Sequence, residues 1–272
     1  MNITELRKLQ SSGVTDLIST LRMVEINPTE LCNRKCVFCP RSESNLYKNQ
    51  KKHIDPLLCK NIGEQLQSFN FNGRIGFAGF SEPLLHPDIV ECVRQIRTCK
   101  TAKWVEINTN GDILTRDLIL ELVEAGCTNI AVSMYDSDQT EYFTEMFEGT
   151  NMPLVLRHHY DSSNSYNLNL VNRIDIVKNQ EQLSIKRHCY IPFYKILIDS
   201  NGDYLLCDQD WKKATNKFNV STTDILDFWL DKINDYRRPL ADKQRILYPC
   251  SACNVNGTVH GEESFQILKG IL

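Results

Sequence analysis

No apolar run in this 272-residue chain approaches the roughly 20 residues that a membrane-spanning helix needs, so no bilayer segment is expected. The opening stretch, MNITELRKLQSSGVTDLIST, lacks the basic start and apolar block of an export signal. Charge of one sign is also missing. Lys and Arg total 31 against 34 Asp and Glu, and the formal net charge of −3 gives no electrostatic reason to expect nucleic acid or an anionic membrane as partner. Internal repeats and low-complexity segments are absent, apart from a polar stretch at Arg41–Lys52 that reads as a mobile loop. What remains is ordinary for a soluble globular protein: 42% hydrophobic and 24% charged residues, in a chain long enough to bury a full core. Cysteine is the exception, at 11 residues. Without an export signal these belong in a reducing compartment, where clustered thiols bind metal or do chemistry more often than they form disulfides. A cytoplasmic setting is expected.

Short β-branched runs alternate with helix-period segments through the first two thirds of the chain. Strands are expected at Met23–Asn27, Arg74–Phe80, Trp104–Asn108, Asn129–Met134, Leu154–His159 and Leu168–Val171. Helices are expected at Pro56–Phe69, Asp88–Cys99 and Thr115–Ala125, the last opened by an N-cap threonine and stopped at Gly126. Repeated βα units imply a parallel sheet, and five or six of them fit an incomplete barrel. In such barrels the chemistry lies at the C-terminal strand ends. After about residue 185 the pattern changes. Tyr194–Ile198 and Tyr204–Cys207 flank the turn signal Asp199-Ser200-Asn201-Gly202, an amphipathic helix follows around Thr222–Tyr236, and the tail is irregular. The expected fold class is α/β: a partial (β/α)6 barrel with a small α+β C-terminal subdomain of hairpin plus helix. The division is residues 1–20 as an N-terminal helical segment, 21–184 as the barrel and 185–272 as the subdomain.

Cys32, Cys36 and Cys39, in LCNRKCVFCP, directly follow the first expected strand. Three thiolates are one short of a closed tetrahedral zinc site and the wrong parity for disulfides. They suit an iron–sulfur cluster with one iron open to a small molecule; a partial zinc site or three unrelated thiols are the alternatives. The Cys-x3-Cys-x2-Cys spacing, with Phe38 before the third cysteine, closely resembles that of the radical S-adenosylmethionine (SAM) enzymes. That resemblance implies a [4Fe–4S] cluster whose open iron binds SAM and, once reduced, cleaves it to a 5′-deoxyadenosyl radical that takes a hydrogen atom from substrate. It also implies an electron donor such as flavodoxin or ferredoxin. Gly79-Phe80-Ser81-Glu82-Pro83 resembles the family's Gly-Gly-Glu-Pro segment, with Phe80-Ser81 in place of the two glycines. The resemblance assigns Gly79, Ser81 and Glu82 to SAM binding, together with Asn110 of Thr109-Asn110-Gly111 and Ser133, where relatives place a ribose contact.

A second set is Cys189-x12-Gly202-x4-Cys207 with Cys250-x2-Cys253. Gly202 folds the hairpin so that its ends approach, and four thiolates suit either zinc or a fully ligated iron–sulfur cluster. The pattern resembles the short, Twitch-type form of the SPASM extension of radical SAM enzymes. No cysteine follows Cys253, so this resemblance implies one auxiliary [4Fe–4S] cluster beside the SAM-binding one. Cys59, Cys92, Cys99 and Cys127 read instead as small core residues.

The same resemblance includes enzymes that oxidise a secondary alcohol of a small polar substrate such as a sugar, aminocyclitol or nucleotide-sugar, with the auxiliary cluster as electron acceptor. It assigns a substrate contact to Arg173. His158 and His159 are candidates for the base, and alternation along a strand lets only one of them face inward. Tyr135, Asp136 and Arg157 near the same rim are candidate substrate contacts, and Asp208 and Asp210 candidates for tuning the auxiliary cluster. Epimerisation, dehydration, maturation of a ribosomal peptide, or non-catalytic iron–sulfur or zinc binding stay open as alternatives.

Overall fold

The computed structural model describes residues 14–36, 39–42, 47–135, 138–159, 188–253 and 260–272. Its centre is a seven-stranded sheet. Strands β1 (Met23–Ile26), β4 (Arg74–Phe77), β5 (Trp104–Thr109), β6 (Asn129–Met134) and β7 (Leu154–His158) lie side by side in chain order and pair in parallel. Helix α1 (Val14–Ser19) precedes β1, and helices α2 (Pro56–Ser68), α3 (Ile89–Ile96), α4 (Arg116–Ala125) and α5 (Gln139–Phe147) connect the strands. Five of the expected strands are therefore present within two or three residues at their ends. Leu168–Val171 lies outside the described residues.

Local chemistry accounts for the helix limits. Asp55 caps α2 by accepting the Leu57 amide at 2.8 Å, with Pro56 at the first helical position. Thr115 caps α4, which ends at Gly126 with φ +95°. The α5 helix was not expected, and its buried residues are only Phe143 and Phe147. A tail expected to be irregular holds the helix Glu262–Lys269, which buries Phe265 and Leu268.

The hairpin forms as expected but not as a separate unit. Its first strand, β8 (Lys195–Ile198), pairs in parallel with β1, with Met23 opposite Lys195, and β9 (Tyr204–Leu205) runs antiparallel along its outer side. Gly202 turns between them at φ +87°, where a side chain would meet Leu58 at 2.8 Å. The expected helix at Thr222–Tyr236 is instead an α-turn at Ile225–Asp227, a π-turn at Phe228–Lys232 and a helix at Asn234–Ala241. The wider π-turn brings Phe228, Trp229 and Ile233 into the core.

Along the parallel strands, alternation separates two environments. Val24, Ile26, Ile75, Phe77, Val105, Ile107, Ile130, Val132, Ile196 and Ile198 are fully buried in the core beneath the helices. Cys59, Cys92, Cys99 and Cys127 are buried in that same core, as expected of small apolar residues. The opposite face carries Glu25, Gly76, Glu106, Asn129 and Lys195, so the inside of the partial barrel is polar.

Candidate active site

Every parallel strand ends on the same rim. The loop after β1 carries Cys32, Cys36 and Cys39, all partly buried. The Cys39 amide bonds the Cys36 carbonyl at 2.8 Å, which folds the second half of the triplet back on itself. Burial raises all three thiol pKa values, that of Cys39 to about 11. At neutral pH these thiols stay protonated until a metal displaces the proton, which is the donor chemistry an iron–sulfur cluster uses. Phe38 lies outside the described residues. The stretch expected as a mobile loop is anchored at both ends. Arg41 is buried, and Gln50–His53 forms β3, which pairs with Thr29–Glu30 (β2). The Asn49 side chain joins that stretch to the cysteine loop, exchanging hydrogen bonds with the Cys32 backbone at 3.0 Å each way.

The loop after β4 is shaped by a residue the motifs did not point to. Asn27, fully buried at the end of β1, accepts the Phe80 amide at 3.0 Å and the Ser81 hydroxyl at 2.7 Å through its Oδ1. Gly79 passes beside it with φ +114°, where a Cβ would lie 3.0 Å from that of Asn27. Arg41 Nε takes the Phe80 carbonyl. Both backbone groups of Phe80 are thus used, while among the described residues no hydrogen bond reaches the Gly79 or Ser81 carbonyl. Two open acceptors on an exposed glycine turn match the amino group of an amino acid such as the methionine part of SAM.

The Glu82 side chain turns into the protein. Its buried carboxylate accepts Leu84 N at 3.1 Å, Thr109 Oγ1 at 2.6 Å and Asn110 N at 2.7 Å, locking the β4 loop to the β5 loop. Burial raises its pKa against those hydrogen bonds. Asn110 gives its amide to Asn33 Oδ1 at 2.8 Å and accepts Asp112 N at 3.0 Å. Asp112 in turn holds Asn33 and Arg34 of the cysteine loop, each at 2.7 Å. The guanidinium of Arg34 lies 4.1 Å over the Tyr135 ring. Ser133 and the Cys36 thiol both contact the Tyr135 hydroxyl, and Tyr135 stacks on His159 at 5.6 Å.

Register separates the two histidines. Arg157 pairs with Ser133 and reaches Glu106 at 3.7 Å, so it belongs to the inner row, and His159 follows it there. His158 pairs with Met134, whose side chain lies in the core under the helices, so the joint candidacy of the two histidines reduces to His159. Burial and the Arg157 charge lower the His159 pKa, leaving it neutral and able to accept a proton. Arg173 and Asp136 lie outside the described residues.

Further down the inner face, Glu106 binds Asn129 at 2.8 Å and Arg74 at 3.2 Å. Lys195 binds Glu25 at 2.9 Å, both only 6% exposed. The same ammonium lies 3.8 Å from Asp208, the residue after Cys207. Neither Glu25 nor Lys195 carried a sequence signal, because their pairing spans 170 positions.

Cys189, Cys207, Cys250 and Cys253 line one pocket with Ile191, Pro192, Leu206 and Leu240. Burial raises the thiols, Cys189 to about 11 and Cys250 to about 12. A zinc ion needs four ligands within about 2.3 Å of one point. Among the described residues no three Cys, His, Asp or Glu side chains converge closely enough to hold a single ion. The four thiols line one shared space, and four is the number of thiolates a fully ligated iron–sulfur cluster takes. Besides burial, the Asp210 charge helps to raise the Cys250 thiol, as a tuning residue would. Asp210 is also fully buried and accepts Ala214 N and Thr215 N at 2.9 Å each, so it shapes its own loop too.

Among the described residues no helix is long and apolar enough to cross a membrane. The radical SAM superfamily model matches residues 26–154, and the SPASM model, an iron–sulfur cluster-binding domain, matches residues 189–254. S-adenosyl-L-methionine-dependent 2-deoxy-scyllo-inosamine dehydrogenase of Niallia circulans is 29% identical over 90% of this chain and 96% of its own. A crystal structure of BtrN in complex with AdoMet and 2-DOIA superposes with a TM-score of 0.69 at 26% identity, over 86% of this chain and 93% of that one. A GTP 3′,8-cyclase of Chlorobaculum tepidum is 32% identical over 47% of this chain and 36% of its own length. The cysteine loop, the rim that braces it and the second thiol pocket together place this chain in the radical SAM superfamily, as an oxidoreductase with a C-terminal SPASM-type iron–sulfur domain.

Proposed function

We propose that this enzyme oxidises a secondary alcohol of a small polar molecule, of the sugar, aminocyclitol or nucleotide-sugar class, to a ketone. The observation that carries this reading is the polar inner face between the two thiol sites. Lys195 touches Glu25 inside the barrel and Asp208 beside Cys207, so a small polar substrate held there lies within reach of both sites. The whole-length relative named as an aminocyclitol dehydrogenase supports the same class.

In this reading Cys32, Cys36 and Cys39 hold the SAM-binding cluster, and Cys189, Cys207, Cys250 and Cys253 the auxiliary one. When bound, these groups and SAM supply hydrogen-atom removal through a 5′-deoxyadenosyl radical and a sink for the electron left behind. The carbonyls of Gly79 and Ser81 receive the SAM amino group, and Ser133 lies toward its ribose. Glu82 and Asn110 act one step back, by fixing the loops that do the binding. His159 takes the hydroxyl proton, with Tyr135 stacked on it to fix the ring. Arg173 keeps the substrate contact implied by the resemblance. The division into a barrel over residues 21–184 and an auxiliary domain over 185–272 belongs to this reading, as does a flavodoxin- or ferredoxin-type electron donor.

The test is anaerobic incubation of reconstituted, reduced enzyme and SAM with a panel of aminocyclitols, amino sugars and nucleotide-sugars. One class is expected to give a keto product with 5′-deoxyadenosine in equal amount. Abundant 5′-deoxyadenosine with no keto product from any class would reject the dehydrogenase assignment.

A further inference from the structure

Glu30, at the end of β2, is 2% exposed, yet no catalytic motif accounts for it. Its carboxylate gathers donors from four parts of the chain. Asn27 Nδ2 lies at 3.0 Å, Ser200 Oγ at 2.8 Å and Lys213 Nζ at 2.6 Å, and the Tyr47 hydroxyl also donates to it. A carboxylate accepts and never donates when ionised, so together with the Thr29 carbonyl, which also accepts Asn27 Nδ2 at 3.0 Å, it sets which way the Asn27 amide faces. The NH2 must turn toward Glu30, and the oxygen is left for Phe80 N and Ser81 Oγ. The Gly79–Ser81 loop is thus tied through Asn27 to the Glu30 carboxylate.

That charge is balanced from the auxiliary side. Lys213 also reaches Asp199 at 2.6 Å, and Asp199 is fully buried. The Lys213 backbone has φ +50°, a left-handed conformation that strains any residue with a side chain. Its loop is tied to Cys207 by successive hydrogen bonds. Asp210 N donates to Cys207 O at 3.1 Å, and Lys213 N donates to Asp210 O at 2.8 Å. The Asp210 carboxylate closes the turn on Thr215, whose hydroxyl accepts Leu206 N at 2.9 Å. From the same loop Trp211 packs edge-on against Phe80 at 4.8 Å and Tyr47 at 5.3 Å. A short, internally bonded segment thus runs from an auxiliary ligand position to the residues that set the SAM loop.

We propose that Glu30 and Lys213 are positioning residues that couple the two sites, so that occupancy of the Cys189/Cys207/Cys250/Cys253 pocket strengthens SAM binding at the Gly79–Ser81 loop. This rests on the reading above that the loop binds SAM. Linkage makes the coupling reciprocal: SAM bound at one end favours the filled pocket at the other.

The test is SAM affinity of the reconstituted holoenzyme, read from the change SAM causes in the EPR spectrum of the reduced cluster. Lys213 also pairs with the buried Asp199, so removing it would strand that carboxylate, and the main variant is Glu30→Gln, which leaves Lys213 its second partner. Its SAM Kd is expected to rise roughly five- to tenfold, the lower part of the usual coupling range, with iron content unchanged. Lys213→Arg is expected to keep SAM affinity near that of the parent. Cys207→Ala is expected to weaken SAM binding in the parent by a similar factor and to add little in Glu30→Gln, because both act through one contact. If Glu30→Gln does not load iron, Glu30→Asp, whose shorter carboxylate withdraws from Asn27, replaces it, with the same direction expected. Gly79→Ala serves as the reference for the loop. If it weakens SAM binding while the Glu30 variant leaves Kd within about twofold of the parent, less than the smallest usual coupling, the proposal is wrong and the loop reading stands. If Gly79→Ala has no effect on SAM binding, the loop reading falls and this proposal with it.

Discussion

The Glu82 carboxylate, buried in the loop after β4, accepts the backbone amide of Asn110 in the loop after β5 at 2.7 Å. The side chain of a residue in the motif associated with SAM is thus used inside the protein. It caps its own loop through Leu84 N and holds the neighbouring strand end through Thr109 and Asn110. The Asn33, Arg34 and Asp112 contacts then carry that rigidity to the cysteine loop.

Glu82→Gln keeps the size but puts a donor where three donors already point. A hydrogen bond to a charged group contributes about 1.5–3 kcal/mol, and the substitution is expected to cost a comparable amount. Urea denaturation of the apo-protein should show a lower midpoint with unchanged slope, and SAM binding of the reconstituted variant should weaken with it. Unaltered stability would mean that the clasp is not energetically significant.

Glu25 and Lys195 test whether the inner face is built for charge. Burial raises the Glu25 pKa against the pull of Lys195. Burial lowers that of Lys195, but Asp208 and Glu25 more than offset it. At 2.9 Å the two act as an ion pair at neutral pH. Lys195→Met strands a buried carboxylate and is expected to cost about 3–5 kcal/mol, whereas Glu25→Gln combined with Lys195→Met should recover most of it. If equilibrium unfolding shows the two losses simply adding, the pair is not coupled.

His159 gives the pH dependence. Burial, then Arg157, then His158 hold its folded-state pKa below the ordinary 6.5. The unfolded chain therefore binds the proton first as pH falls. The stabilisation from keeping His159 neutral is complete above 6.5 and is lost as pH drops through the lowered folded value. His159→Asn should remove that loss, so its stability relative to the parent should improve between pH 8 and pH 5.5, by at most about 1.4 kcal/mol per pH unit. A difference that stays constant across this range would show that His159 does not titrate on unfolding.

Much of this was legible in the sequence where one physical demand repeats at short range. Strands with one face buried against helices need apolar residues at alternate positions, such as Ile75 and Phe77 or Val105 and Ile107, and these stood out. Thiolates that wrap one cofactor face need fixed spacing, which Cys32, Cys36 and Cys39 show. The helix Gln139–Phe147 escaped because only two residues face the core, too few for a periodic signal. Asn27, Glu30 and Lys213 escaped for a different reason. Their partners are set by tertiary approach, across 183 positions for Glu30 and Lys213, and no local pattern encodes that. The hairpin was visible, but its addition to the edge of β1 was not, since both strands satisfy alternation either way.

The central claim is hydrogen removal from a carbinol carbon by the SAM-derived radical. It is tested most directly with a substrate from the responding class carrying deuterium on that carbon, turned over once under anaerobic conditions. Mass spectrometry should find one deuterium in 5′-deoxyadenosine for each ketone formed, the balance expected when SAM is consumed and not regenerated. Unlabelled 5′-deoxyadenosine alongside deuterium-retaining substrate would contradict the account.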